Sequence, residues 1–266
     1  GGITGTLLHF TLPMMVGSFL QQCYNIADTL IVGQCIGAGA LAAVGSAYTL
    51  MVFLISVLLG LAMGSGTVFS LHYGAGNHVA LRRSIFSSFV LIGIVTLILN
   101  VAVFIWLDPI LRLLQVPQDI YGMMRSYSWI IFCGIVFTFI YNFYASLLRA
   151  VGDSVTPLWF LPVSVVLNIA LDLFFILQLD WGMQGAAAAT VLAQGVAALG
   201  IIIYTYRRRP ELRWHHEDMC FDRTCLKEIA SFSTLTCVQQ SVMNLGILMI
   251  QGLVNSFGTA VMAAFA

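Results

Sequence analysis

Charge is what this sequence lacks. Only 8% of its 266 residues are Asp, Glu, Lys or Arg, 60% are hydrophobic, and the mean hydropathy is +0.96. A water-soluble domain carries about 25% charged residues and needs them for its surface. A soluble fold is therefore excluded and an all-α integral membrane protein is expected. The net charge is zero, so no basic field exists to hold nucleic acid. The six cysteines (Cys23, Cys35, Cys133, Cys220, Cys225, Cys237) follow no disulfide-framework spacing, and most sit in apolar segments as small hydrophobes. No Walker lysine motif is present, which argues against ATP coupling within the chain. No nucleophile–base arrangement occurs, so an enzyme is not expected, and neither is a cofactor other than a coupling ion. There is no basic region followed by a cleavable signal. A chain that begins at Gly1 and stops at Ala266 inside an apolar run is expected to be part of a longer one.

Long apolar runs are present instead. A helix needs about 20 apolar residues to cross the hydrocarbon core. Seven segments qualify: Leu7–Gly33, Ala40–Leu71, Ser84–Leu107, Ile120–Leu148, Val155–Leu179, Met183–Tyr206 and Ile229–Leu253, with an eighth starting near Gly258. One set of connections (His72–Arg83, Arg149–Ser154, Arg207–Glu228) holds Arg82, Arg83, Arg149, Arg207, Arg208, Arg209, Arg213, Arg223 and Lys227. The other (Gln34–Gly39, Asp108–Asp119, Asp180–Gly182) holds Arg112 alone, with Arg125 just inside the next helix. The positive-inside rule makes the first set, and the amino terminus, cytoplasmic. The expected organisation is a six-helix lobe (1–206), a cytoplasmic linker (207–228) and the truncated start of a second lobe (229–266). A repeat supports it. Gln21-x3-Asn25-x2-Asp28-x2-Ile31-x-Gly33 recurs as Gln240-x3-Asn244-x2-Ile247-x2-Ile250-x-Gly252, and Gly37 with Ala42-Ala43 recurs as Gly258 with Ala263-Ala264. Parallel repeats are a transporter habit.

Asp28 is the one charged side chain in the first 81 residues. A carboxylate within a membrane segment costs about 3 kcal/mol on insertion scales and usually faces a bundle interior or a water-filled cavity. A second acid, Asp172, lies four residues after Asn168 on the same helix face. Asp28 and Asp172 fall roughly 8–10 Å below the outer ends of their segments. Thr190 reaches a similar depth, with Gln194 one turn deeper. Asp28, Asn168, Asp172 and Thr190 thus offer hard oxygen ligands at one level, a candidate site for H⁺ or Na⁺. No basic residue lies near, so the pair takes up a proton or a metal cation. The alternative is that both acids only hydrogen-bond neighbouring helices. No metal is expected beyond Na⁺ at Asp28 and Asp172.

Ser18, Gln21, Asn25 and Asp28 form a polar stripe. Gln240, Asn244, Gln251 and Asn255 form its acid-free counterpart. Gln21, Asn25, Gln194, Gln240 and Asn244 are the candidate lining of a substrate cavity, or else interhelical glue. Pro13 is a candidate hinge, while Pro157 reads equally as a helix start. The aromatics of the fourth segment, from Tyr127 to Tyr144, face lipid or stack on substrate. Gly60-x3-Gly64 permits close helix packing. The run from His215 to Cys225 has metal-like composition but no zinc spacing, and reads as a solvated loop. Gly74-Ala-Gly76-Asn77 reads as a turn.

Gln21-Gln22-x-Tyr24-Asn25-x2-Asp28-x3-Val32-Gly33, followed by Gly37-x2-Ala40-Leu41-Ala42-Ala43-Val44-Gly45, resembles the first helix and loop of multidrug and toxic compound extrusion transporters. Leu148-Arg149-Ala150-x-Gly152-Asp153-x3-Pro157 and Asn168-x3-Asp172-x8-Trp181-Gly182-x2-Gly185-Ala186-Ala187 resemble later parts of the same lobe. The resemblance implies twelve helices in two lobes and drug/cation antiport by alternating access. It also implies an amino-lobe cation site matched at Asp28, Asn168, Asp172 and Thr190. One branch of that family carries an acid in the seventh helix. It is missing here, which favours coupling through the amino lobe. The expected partners are small organic, cationic compounds, membrane lipids and the absent carboxy-terminal lobe, in the cell (inner or plasma) membrane. The rivals are a lipid-linked oligosaccharide flippase, which would need basic residues in its cavity, and a non-transporting membrane scaffold.

Overall fold

The structure is a computed structural model that describes residues 2–265. The described residues form helices and no strand: α1 (Ile3–Cys35), α2 (Ala38–Gly74), α3 (His78–Leu113), α4 (Gln118–Cys133), α5 (Ile135–Ala150), α6 (Thr156–Leu173), α7 (Gly182–Arg208), α8 (Arg223–Asn255) and α9 (Thr259–Phe265). A π-helical turn, Phe174–Gln178, continues α6, and two short 3₁₀ turns lie between α7 and α8. Six helices are each long and apolar enough to cross a membrane, and α4 with α5 makes a seventh, bent span. The apolar segments are therefore the cores of longer helices, whose polar ends extend past the hydrocarbon. Large apolar side chains cover the outside, among them Leu235 at 76% and Trp159 at 71% exposed. With lipid as solvent, every backbone polar group has to be satisfied internally, which an all-helix chain does.

The fourth segment is not one straight helix. It bends by 43° between α4 and α5, at Gly134, where a Cβ would come within 2.8 Å of Val191 on α7. Close approach to α7 needs the glycine, and the glycine lets the helix break. In α3 the kink is at Trp106, three residues before Pro109, whose ring blocks the regular helical hydrogen bond. Pro157 begins α6, while α1 runs unbroken through Pro13.

Helix α2 is the hub and touches α1, α3, α4, α5, α8 and α9. Its contact with α8 is the closest: a Cβ on Gly60 or Gly64 would lie 2.7 Å from the Cα of Cys237 or Ser233 respectively. Small residues thus let these two backbones approach where no side chain would fit. The turns into α2 and α9 are tight, and Gly37 (φ +122°) and Gly258 (φ +96°) occupy backbone conformations that other residues rarely adopt.

The stretch between α7 and α8 is anchored at Leu212 and Asp218, while His215–Glu217 and Met219–Phe221 are exposed as the solvated-loop reading expects. Asp218 is 4% exposed and Leu212 3%. Arg82 Nε donates to Asp218 Oδ2 at 2.8 Å, as does the His215 backbone N–H at 2.9 Å. Trp214 packs edge-on against Phe86 and tilted against Phe89. Burial opposes ionisation of Asp218, yet the His215 N–H and the Arg82 guanidinium hold its carboxyl below the usual range.

Candidate functional site

Three helices bring the site together. On α1, Tyr24 and Asp28 are four residues apart, and on α6 so are Asn168 and Asp172, so each pair shares a face. Thr190 arrives from α7. Asp28 lies seven residues before the end of α1 and Asp172 six before the end of the π-helical turn, which matches the depth expected from sequence. Asn168 is 1% exposed, Asp172 is fully buried and Asp28 is 9% exposed.

Asn168 is the keystone. Hydrogen-bond chemistry orients its amide so that the nitrogen donates to Asp172 Oδ2 at 2.8 Å. Its oxygen then accepts from the Tyr24 hydroxyl at 3.1 Å and from Thr190 Oγ1 at 3.2 Å. The Asp28 and Asp172 carboxyls are close enough to feel each other's charge. Each keeps one buried oxygen, Oδ1, without a partner. No Lys, Arg or His pairs with either acid among the described residues. Two carboxyls in a water-poor space cannot both stay ionised unless something positive joins them. A proton shared between them, or a hard cation taking the unpartnered oxygens, meets that need, and the donor set is entirely oxygen. The π-helical turn begins two residues after Asp172; such wide turns recur at functional sites.

Asp28 and Thr190 face a cavity of about 500 Å³ also lined by Gln21, Asn25, Tyr127 and Gln194. Asp172 lies behind them, off the lining. A neighbouring cavity of about 250 Å³ shares Gln21, Thr190 and Gln194 and adds Tyr141 and Asn142. The larger is of a size that small organic ligands use. The Gln194 amide oxygen accepts from Thr138 Oγ1 at 2.9 Å, so its direction is set.

The structure does not bring Gln240 and Asn244 to these two cavities. Asn244 is buried and its amide donates to the Gln240 carbonyl at 2.8 Å. Further along α8, Gln251 Nε2 donates to Ser46 Oγ at 2.8 Å and Asn255 Nδ2 to the Leu114 carbonyl at 2.8 Å. This end of the stripe is interhelical glue. Most α5 aromatics pack inward, Phe139 and Phe143 against Phe89. Tyr127, one of the aromatics offered as lipid-facing or substrate-stacking, lines the larger cavity, and Tyr24 is a site residue that sequence reasoning did not select. Tyr24 could have been found, because it lies one helical turn before Asp28.

A family model described as MatE matches residues 13–174. The "Probable multidrug resistance protein YpnP" of Bacillus subtilis (strain 168) is 31% identical over 272 residues, all of this chain and 59% of that protein. The multidrug export protein MepA of Staphylococcus aureus (strain NCTC 8325 / PS 47) is 29% identical over 74% of this chain and 44% of its own length. The chain thus spans about half the length of the curated relatives it matches. A solved structure of an outward-facing multidrug resistance MATE family transporter superposes with a TM-score of 0.79 at 26% identity, covering 91% of this chain and 54% of that one. An inward-facing structure superposes with a TM-score of 0.86 at 23% identity, covering 98% and 59%. The family match over most of the first six spans, joined to a relative alignable along the whole chain, establishes that this chain belongs to the MatE family of multidrug and toxic compound extrusion proteins.

Proposed function

We propose that this chain is the amino-terminal lobe, the linker and the start of the second lobe of a cation-coupled antiporter that exports bulky, cationic organic compounds by alternating access. The observation that carries the reading is the buried carboxyl pair, without a basic partner, of which Asp28 lines the 500 Å³ cavity and Asp172 lies behind it. An inward-moving H⁺ or Na⁺ is cargo. It enters from the outer side, meets Asp28 at the cavity wall and is shared with Asp172, Asn168 and Thr190. Neutralising the pair removes the negative charge that attracts a cationic substrate in the same cavity, and α1 bends near Pro13. Substrate leaves outward and the cation leaves inward once the lobes rock. The membrane potential contributes about 2.3 kcal/mol per charge per 100 mV.

Orientation follows the positive-inside rule, with the Arg-rich loops and the amino terminus cytoplasmic in the cell membrane. The two-lobe division draws support from the paired positive-φ glycines Gly37 and Gly258, which occupy matching places in the repeat. The flippase reading is disfavoured. Neither cavity against Asp28 and Thr190 is lined by Lys, Arg or His; Arg149 lines a third one toward the basic loops. The test is substrate efflux from proteoliposomes under imposed pH or Na⁺ gradients, with Asp28→Asn and Asp172→Asn variants. Gradient-driven efflux is expected to be lost in both, and wild-type efflux in both would refute the mechanism.

A further inference from the structure

Three metal-ligating side chains converge at the Arg-rich end of the bundle, away from the carboxyl pair. His72 lies in the last turn of α2. Cys225 and Glu228 sit in the first turns of α8, three residues apart and on one face. One ligand atom from each lies within 4.8 Å of the other two, and His72 Nε2 is 3.3 Å from Glu228 Oε2. Zn–N and Zn–O bonds of about 2.0–2.1 Å at the tetrahedral angle put N and O about 3.4 Å apart, so this pair already spans a tetrahedral edge. The Cys225 sulfur is buried, and the Ser84 hydroxyl, which donates to the Ala80 carbonyl at 2.8 Å, lies 2.8 Å from it. Such outer contacts orient metal ligands. The N-cap acid of α8, Asp222, adds negative charge near the sulfur. The histidines and Cys220 of the linker supply no ligand to this cluster.

We propose that His72, Cys225 and Glu228 form a zinc-class transition-metal site that ties the end of α2 to the start of α8. Imidazole nitrogen, thiolate sulfur and carboxylate oxygen together suit Zn²⁺ and Co²⁺, not the hard cations of the carboxyl pair. Three protein ligands leave one tetrahedral position for water. Binding releases the thiol proton to solvent and involves no redox change. The tie has a functional consequence, which rests on the antiporter reading: metal bound here holds the two lobes together at the cytoplasmic end and slows turnover.

The purified wild-type protein is titrated with Co²⁺ and then with Zn²⁺. A thiolate-to-cobalt charge-transfer absorption is expected, saturating near one equivalent and displaced by Zn²⁺. It is absent in Cys225→Ser, at least tenfold weaker in affinity in His72→Ala and Glu228→Gln, and unchanged in Cys237→Ser. No such absorption in the wild type, or one untouched by His72→Ala, overturns the site. Zn²⁺ is expected to slow efflux by the wild type and not by His72→Ala, whose basal efflux is normal; equal slowing of both overturns the tie. The cobalt spectrum needs no transport, so its failure is distinct from failure of the antiporter reading, which the Asp28→Asn and Asp172→Asn effluxes test.

Discussion

Gly64→Ala is expected to destabilise the bundle far more than Gly66→Ala two residues along α2. The added Cβ would overlap Ser233 Oγ and lie 2.8 Å from Ser233 Cβ and 2.7 Å from Ser233 Cα. The hydroxyl can swing away by changing rotamer, but the Cα belongs to the α8 backbone. Carbon atoms pack at about 3.5–4.0 Å, so α8 has to retreat by about 1 Å. A gap of that size forfeits a quarter to a half of the attraction of each contact it opens, and overpacking of this kind costs about 1–3 kcal/mol. At about 2–4 °C per kcal/mol for proteins of similar size, the thermal midpoint of the detergent-solubilised protein falls by several degrees. Gly66→Ala is the internal control. Two residues along the same helix, its Cβ meets nothing closer than 3.7 Å, and alanine is the better helix former by about 1 kcal/mol, so it is neutral or stabilising. Adding Ser233→Ala to Gly64→Ala removes the hydroxyl and leaves the backbone clash, so recovery is partial at most. Equal midpoints for Gly64→Ala and Gly66→Ala, or full recovery in the double variant, would refute the backbone-contact argument.

Asp172→Asn is expected to raise the thermal midpoint while abolishing gradient-driven efflux. It removes a fully buried acid with one unpartnered oxygen, and such a group costs about 1–3 kcal/mol or more. Asn168→Leu does the reverse to stability. It leaves Asp172 Oδ2 and the Tyr24 hydroxyl without their partner, a loss of about 1–3 kcal/mol, and calorimetry should detect no saturable cation binding. The linker is pH-sensitive. Because the Asp218 carboxyl is held below the usual carboxylate range, docking is favoured above that range and lost as pH falls through the depressed value. Amide hydrogen exchange across residues 212–218, corrected for the intrinsic pH dependence, should be protected at pH 7, unprotected well below the ordinary carboxylate pKa of about 3.9, and unprotected already at pH 7 in Arg82→Ala.

What could be read from sequence divides by how many helices a feature needs. The spans needed only one helix and a bilayer of known thickness, so apolar run length located all seven. The acids needed one more fact, that intramembrane charge is costly, and their matched distances from helix ends put them at one level. Tyr24 was within reach of the same argument, one turn before Asp28, and was passed over because a tyrosine in an apolar helix carries no comparable penalty. Features that depend on distant pairing were not legible. Arg82 and Asp218 are 136 residues apart, and nothing in either neighbourhood marks the other, so the one clamped residue of a largely exposed linker is not marked in its sequence. Gly60 and Gly64 illustrate the limit: two glycines four apart license a close neighbour without naming it. Only the packed bundle shows that the neighbour is α8, at Cys237 and Ser233. That contact also runs beside the carboxyl site's own scaffold, since α2 touches α1 and α4 as well as α8. A change that pushes α8 from α2 should therefore disturb the helices that carry Asp28 and Tyr127, together with the Gln251–Ser46 hydrogen bond that spans the same two helices.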